Sequence, residues 1–283
     1  MVNSNGHLLA PEQAHVSISN RAYNYGDGLF ETIKAVNGKL FFWEDHYFRL
    51  MSSMRIMRME IPMDFTMEFL EAEILKTLEA NNLIQKSARV RVQIDRGEGG
   101  LYLPLENTEI RFLIKVTELD SPFYTIDDAQ TNLVDIYKDF YVAPGLLSGL
   151  KSNNKALNVM GSIYAKENGY NNCLLVNTNK NVIEALNGNL FLVKGDRIKT
   201  PPLTDGCLKG VMRKQILELL LEDLNYITEE ESISPFELQK ADELFITNVV
   251  QGIVPITQYR KKSYQTDFSK GLIKKLNVKI RLA

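Results

Sequence analysis

Residues 89–95 alternate strictly between polar and apolar side chains, the period-two signature of a half-buried strand. Val90, Val92 and Ile94 share one face; Arg89, Arg91 and Gln93 share the other. Residues 28–36 and 39–42 read as two further strands joined by Asn37-Gly38, a strong hairpin signal. A helical period follows. One helix is expected from about Asp45 through Arg49. A second is expected after Asp64, read as its N-cap, with Phe65, Phe69, Ala72 and Leu75 recurring at helical spacing. Residues 111–116 form another short strand, and the Ser-Pro-containing stretch 117–123 breaks the pattern.

Beyond that break the expected order is a strand at 131–136, a turn around Lys151, and a helix at 158–168. Short strands at 173–176, 182–184, 190–193 and 197–199, an amphipathic helix at 211–224 and a strand at 243–247 complete it. Regular strand–helix–strand alternation is missing. The expected class is therefore α+β, with two domains carrying mixed or antiparallel sheets, rather than a doubly wound fold. The expected boundaries are a small N-terminal domain at 1–117, a linker at 118–125 and a larger C-terminal domain at 126–283.

Composition narrows the function classes. The chain has 283 residues, enough for two cores. A net charge of −2 supplies no basic field for nucleic acid. Two cysteines cannot build a disulfide framework and suit a reducing compartment such as the cytoplasm. His7, His15 and His46 show no metal-ligand spacing, so no metal is expected. The first residues lack a signal-peptide pattern, and no apolar stretch approaches the roughly 20 residues of a membrane span.

Four features carry candidate chemistry. Lys151 stands in Gly149-Leu150-Lys151-Ser152-Asn153-Asn154, among small and apolar neighbours that favour a partly desolvated, nucleophilic amine. Glu184 ends an apolar strand, where a carboxylate can hold a pyridine nitrogen protonated. Gly210 opens a helix whose free N–H groups suit a phosphate. Thr247 and Asn248 add a hydroxyl and backbone donors after a strand, and Arg49 offers a planar fork. Singly, each residue is more often structural: a surface lysine, an ion-paired glutamate, a plain helix start. Together they make a set suited to pyridoxal phosphate.

In that combination the chain resembles the class IV aminotransferases, the fold-type IV pyridoxal-phosphate enzymes. These include branched-chain aminotransferase, D-amino acid aminotransferase and 4-amino-4-deoxychorismate lyase. The resemblance runs from Asn20-Arg21-Ala22-Tyr23-Asn24-Tyr25-Gly26-Asp27-Gly28-Leu29-Phe30-Glu31-Thr32 through His46 and Arg49, Lys151, Glu184 with Asn189-Leu190-Phe191, and Gly210-Val211-Met212-Arg213. It ends at Asp242-Glu243-Leu244-Phe245-Ile246-Thr247-Asn248. It implies that Lys151 is the catalytic residue, forming the internal aldimine with pyridoxal 5'-phosphate and shuttling the proton at Cα. It implies that Glu184 pairs with the pyridine nitrogen. Arg49, the Val211 and Met212 amides behind Gly210, and Thr247 with Asn248 would hold the phosphate. Phe30 and Thr32 would lie on the substrate side, and Arg91 would stand where branched-chain aminotransferases place an arginine. A cofactor between a small and a large domain, and a homodimer, are implied as well.

The reaction implied is amino transfer between an amino acid, branched-chain ones included, and a 2-oxo acid. The alternative is aminodeoxychorismate lyase, which releases pyruvate and 4-aminobenzoate. Thr32 and the Gly210-Val211-Met212-Arg213 run resemble the lyase branch. Leu101 stands where lyases and D-amino acid aminotransferases carry a carboxylate-binding arginine, and a buried leucine there disfavours the lyase. Met212 replaces a threonine frequent in the family, and Ala185-Leu186-Asn187-Gly188 replaces a serine-rich segment. A glycine-rich nucleotide-binding module is disfavoured, because neither Gly26-Asp27-Gly28 nor Gly97-Glu98-Gly99-Gly100 follows the dinucleotide pattern.

Overall fold

The computed structural model describes residues 1–106 and 108–282. Asn107 and Ala283, which fall in the expected small and large domains, lie outside the described residues. Two compact units are present: Met1–Pro122 with Lys151–Asn154, and Phe123–Leu150 with Lys155–Ala283. Assignment of 151–154 to the first unit is absent from the boundaries expected from sequence.

The first unit is an antiparallel sheet backed by helices. In chain order it comprises β1 (Val2–Ser4), β2 (His7–Leu9), α1 (Arg21–Tyr25), β3 (Gly28–Val36), β4 (Lys39–Leu40), α2 (Trp43–Ile56), α3 (Met67–Ala80), β5 (Ser87–Asp95) and β6 (Arg111–Glu118). The strands lie in the order β2-β1-β6-β5-β3-β4. The alternation along β5 sorts its faces: Val90, Val92 and Ile94 are fully buried, whereas Arg89 is exposed and Arg91 and Gln93 are half-buried. Leu50 and Met54 of α2 and Leu70, Ile74 and Leu78 of α3 are buried on the helices that pack against β3 and β6.

Three sequence expectations change here. Thr66, not Asp64, caps α3, its hydroxyl accepting from the Phe69 N–H at 3.1 Å. The later start rotates the buried stripe to Leu70, Ile74, Thr77 and Leu78, and leaves Ala72 exposed. Phe65 and Phe69 instead join an aromatic cluster with Phe112, at centroid distances of 5.8 and 5.9 Å. The strand expected at 39–42 stops at Leu40, because Phe42 takes a left-handed backbone (φ 56°) that starts α2.

The second unit holds β7 (Leu133–Val142), α4 (Ala156–Glu167), β8 (Asn172–Asn177), β9 (Val182–Ala185), β10 (Gly188–Lys194), β11 (Arg197–Thr200), α5 (Val211–Leu221), β12 (Ile227–Glu230), α6 (Pro235–Lys240), β13 (Glu243–Asn248), β14 (Gly252–Ile256), β15 (Gln258–Tyr259), β16 (Lys262–Ser263) and α7 (Asp267–Leu282). Its sheet is mixed, with β7 and β8 parallel, β11 and β12 parallel, and most other pairs antiparallel. The important crossover pairs β13 with β10 in the register Asn189↔Thr247 and Phe191↔Phe245, and those two rings stack at 5.0 Å. Val134, Leu174, Leu190, Leu244, Ile256 and Tyr259 fill the core of this unit. Among the described residues no helix is long and apolar enough to cross a membrane.

Candidate active site

Lys151 is fixed by strand pairing rather than by a flexible turn. The Phe30 N–H donates to the Lys151 carbonyl and the Asn153 N–H to the Gly28 carbonyl, both at 2.9 Å, and Leu29 bridges Ser152. The segment therefore adds itself to the start of β3. Gly28 is needed there, since a Cβ would stand 2.5 Å from Asn153 Nδ2 and 3.0 Å from the Ile94 carbonyl. Lys151 is half-buried, and its Nζ lies 4.5 Å from the Phe30 ring centroid. Arg91 Cζ lies 3.9 Å from the same centroid. Thr32, buried, sits two residues along β3, opposite Arg91 in the ladder.

Arg49 grips a buried carboxylate. Its Nε and Nη2 donate to the two oxygens of Glu31 at 2.7 and 2.6 Å, and His46 Nδ1 meets Glu31 Oε2 at 2.7 Å. Burial alone would raise the Glu31 pKa; the charges of Arg49 and His46 and their hydrogen bonds outweigh it and hold the carboxyl at about 2. The Nε–Nη2 edge of Arg49 is committed to this fork. Burial lowers the pKa of His46 against the opposing pull of Glu31, with Arg49 and Lys151 lowering it further. Among the described residues His46 Nε2, buried, has no hydrogen-bond partner.

In the second unit Glu184 is half-buried on β9. Its Oε2 accepts from the Leu208 N–H at 3.0 Å and from Asn189 Nδ2 at 3.4 Å, and Asn189 Nδ2 also donates to the Leu208 carbonyl at 2.8 Å. Gly210 is the N-cap of α5 with no capping side chain, so the first-turn amides, those of Val211 and Met212 included, lack the usual cap. A Cβ at Gly210 would overlap Asn189 Oδ1. Thr247, which pairs with Asn189 across β10 and β13, has a buried hydroxyl with no hydrogen-bond partner among the described residues. The Asn248 side chain closes the next turn, accepting from the Val250 and Gln251 N–H groups at 3.1 and 2.9 Å. An orphaned buried hydroxyl, an uncapped helix start and an oriented carboxylate within one unit fit a phosphorylated, nitrogen-containing ring.

Within the first unit Lys151, Phe30, Thr32, Arg91 and Arg49 are drawn together around β3, and within the second Glu184, Gly210, Val211, Met212 and Thr247 gather around Asn189. Sequence reasoning missed the roles of Glu31 and Asn189. Glu31 could have been flagged as a charge on the core-facing register of Leu29, Ile33 and Ala35. Asn189 carries no local signal. Leu101 corrects an expectation: it is 79% exposed, not buried. Its loop is held from below by Arg21, which donates to the carbonyls of Gly99, Leu101 and Tyr102 at 2.9, 2.5 and 3.0 Å.

Residues 28–259 match the family model described as amino-transferase class IV. A protein of Methanocaldococcus jannaschii, carrying the provisional name branched-chain-amino-acid aminotransferase, is 29% identical over 277 residues, covering 98% of this chain and 94% of the relative. The aminodeoxychorismate lyase of Vibrio harveyi is 26% identical over 260 residues, covering 92% and 93%. The crystal structure of the branched-chain aminotransferase of Thermoproteus uzoniensis with norvaline superposes with a TM-score of 0.86 at 24% identity, covering 97% of this chain and 92% of that one.

Proposed function

Because this chain belongs to the class IV aminotransferase family, whose members use pyridoxal phosphate, we propose that it moves an amino group between an amino acid, branched-chain ones included, and a 2-oxo acid. The observation that carries this reading is the placement of Lys151, clamped onto β3 by two backbone hydrogen bonds with its amine over Phe30. When bound, pyridoxal phosphate supplies an aldehyde for the substrate amine and a protonated ring that withdraws electrons from Cα.

The proposed roles of the chain's own residues follow from their surroundings. Lys151 binds the cofactor and moves the proton at the substrate Cα. Glu184, aimed by the Leu208 N–H and Asn189, keeps the ring nitrogen protonated. The uncapped start of α5 at Gly210, Val211 and Met212, the Thr247 hydroxyl, the Asn248 backbone and Arg49 hold the phosphate. Phe30, Thr32 and Arg91 line the substrate side, with Arg91 pairing a carboxylate. Buried, unpaired Cys173 and Cys207 support a reducing compartment such as the cytoplasm. A homodimer is supported by α4, whose residues 156–165 are uncharged and which exposes Val159, Met160 and Ile163.

A lyase releasing 4-aminobenzoate and pyruvate is the second reading. The similarity to the Vibrio harveyi lyase supports it, while Leu101, exposed rather than buried, still offers no charge for a carboxylate and weighs against it. The purified protein with pyridoxal phosphate is expected to be yellow, and borohydride followed by peptide mapping to place the reduced cofactor on Lys151. A protein that stays colourless with added cofactor sinks both readings. Release of aminobenzoate from aminodeoxychorismate at a rate exceeding amino transfer selects the lyase.

A further inference from the structure

Lys155, the residue that precedes α4, is a half-buried cation with no counterion in contact. Among the described residues it makes no hydrogen bond and no ion pair, and its side chain does not cap the helix. Residues 156–165 behind it carry no charge. An ammonium held partly out of water and unpaired is costly, which calls for an anion from outside the chain. Glu184 is the charge that acts on it: burial lowers the Lys155 pKa, and the Glu184 carboxylate pulls it back up.

Register explains why the two are neighbours. Glu184 pairs with Leu175 of β8, and directly paired residues of antiparallel strands share a face. Leu175 shares a core cluster with Leu157, Tyr164 and Ala165 of α4, so Glu184 stands on the face that α4 covers. Asn158 Nδ2 donates to the Leu186 carbonyl at 2.7 Å, and a Cβ on Gly161 would stand 2.5 Å from Leu186 Cδ2. Lys155 lies three residues before Asn158 on the helix, and Glu184 two residues before Leu186 on the strand and its turn. Both spacings keep a residue on the same side.

The rung that holds Glu184 has an order. Thr247, Asn189, Glu184 and Leu175 sit side by side on β13, β10, β9 and β8. The groups proposed to hold phosphate, Thr247 and the start of α5 against Asn189, therefore flank Glu184 on its β10 side. α4 packs on β7 and β8 and brings Lys155 to the other side. Pyridoxal phosphate has a matching asymmetry. Its nitrogen lies between one flank that carries the phosphate arm and one that carries the ring oxygen. With a proton on the nitrogen, that oxygen carries the compensating negative charge.

We propose that Lys155 is a cofactor-binding residue, its ammonium pairing with the ionised ring oxygen while Glu184 pairs with the protonated ring nitrogen, so that the two side chains read both ends of a zwitterion. This rests on the reading of the site as a pyridoxal-phosphate site with Glu184 at the ring nitrogen. A cation for the anionic end and an anion for the cationic end make binding depend on the ring as well as on the phosphate.

Two non-covalent analogues, pyridoxine 5'-phosphate and 3-deoxypyridoxine 5'-phosphate, test this by calorimetry on the cofactor-stripped chain near pH 7. The second lacks only the ring oxygen. The expected preference for the first is at least about tenfold in the parent, and Lys155→Met is expected to cut it about tenfold, the loss of a charge-assisted hydrogen bond. Lys155→Arg keeps most of the preference. Lys166→Met, which removes an exposed lysine at the far end of α4, keeps all of it. A role in folding alone would weaken both analogues equally and leave the ratio fixed. Equal affinities in the parent, or a preference unchanged in Lys155→Met, overturn the proposal. If neither analogue nor pyridoxal phosphate binds the parent, the cofactor reading itself falls, and the assignment of Lys155 with it.

Discussion

Glu31 is a carboxylate with almost no water around it and two cationic or hydrogen-bonding partners, and that arrangement ties stability to pH. In the fold its pKa is about 2, against 4.5 without the environment. A lowered carboxylate contributes stability above its unfolded value. That contribution is lost as pH falls from about 4.5 towards 2, roughly 3 kcal/mol over the whole range. His46 works in the same direction. Its pKa is lowered by burial, so protonation below its ordinary 6.5 favours the unfolded chain. Stability is therefore expected to decline on acidification from about pH 6.5 and more steeply below 4.5. Glu31→Gln keeps the shape but removes the buried anion that Arg49 and His46 face, and should cost about 3–5 kcal/mol near neutral pH while flattening the acid limb. Urea unfolding near pH 7 and pH 4 measures both; a variant within about 1 kcal/mol of the parent at neutral pH contradicts the account.

The start of α5 shows how one element serves another. Gly210 has an ordinary φ of −69°, so glycine is required there by space rather than by backbone conformation. An alanine Cβ would overlap Asn189 Oδ1, and Asn189 holds both the Leu208 carbonyl and Glu184. Asn189 is buried and cannot swing away without breaking those bonds. Gly210→Ala should weaken pyridoxal-phosphate binding about tenfold, with unfolding free energy changed by about 1–2 kcal/mol. Equilibrium titration of cofactor absorbance and urea unfolding separate the two effects, and unchanged affinity would remove Asn189 from its positioning role. The helix after Gly210 and the strand at 243–247 were legible because period and turn chemistry are local signals. The Asn189 link was not, since its side chain reaches from the β9–β10 hairpin to the Leu208 carbonyl in the loop before α5, and a side-chain bond of that kind leaves no periodic signal. α7 is absent from the expected elements although Leu272, Ile273, Leu276 and Ile280 recur at helical spacing and mark a buried face.

At the scale of the molecule, the α+β class and the two sheets could be read from strand spacing, while the allegiance of Lys151 could not. Its segment pairs with β3 across about 120 residues of chain, and no periodicity reports a pairing of that kind. Oligomeric state has a clearer surface signal. α4 presents Val159, Met160 and Ile163 at 56%, 53% and 43% exposure, and its charges are confined to Lys166 and Glu167 at the C-terminal end. A neutral apolar face meets a second copy of itself without charge repulsion, which suits a two-fold interface. Light scattering at micromolar concentration should therefore give about twice the chain mass of 32.3 kDa. Val159→Asp with Ile163→Asp sets four carboxylates against one another across such an axis, with no core packing lost because both side chains are exposed. The double variant should be a folded monomer with a circular dichroism spectrum like the parent's. A parent protein that is already monomeric, or a double variant that remains a dimer, places the interface elsewhere or removes it.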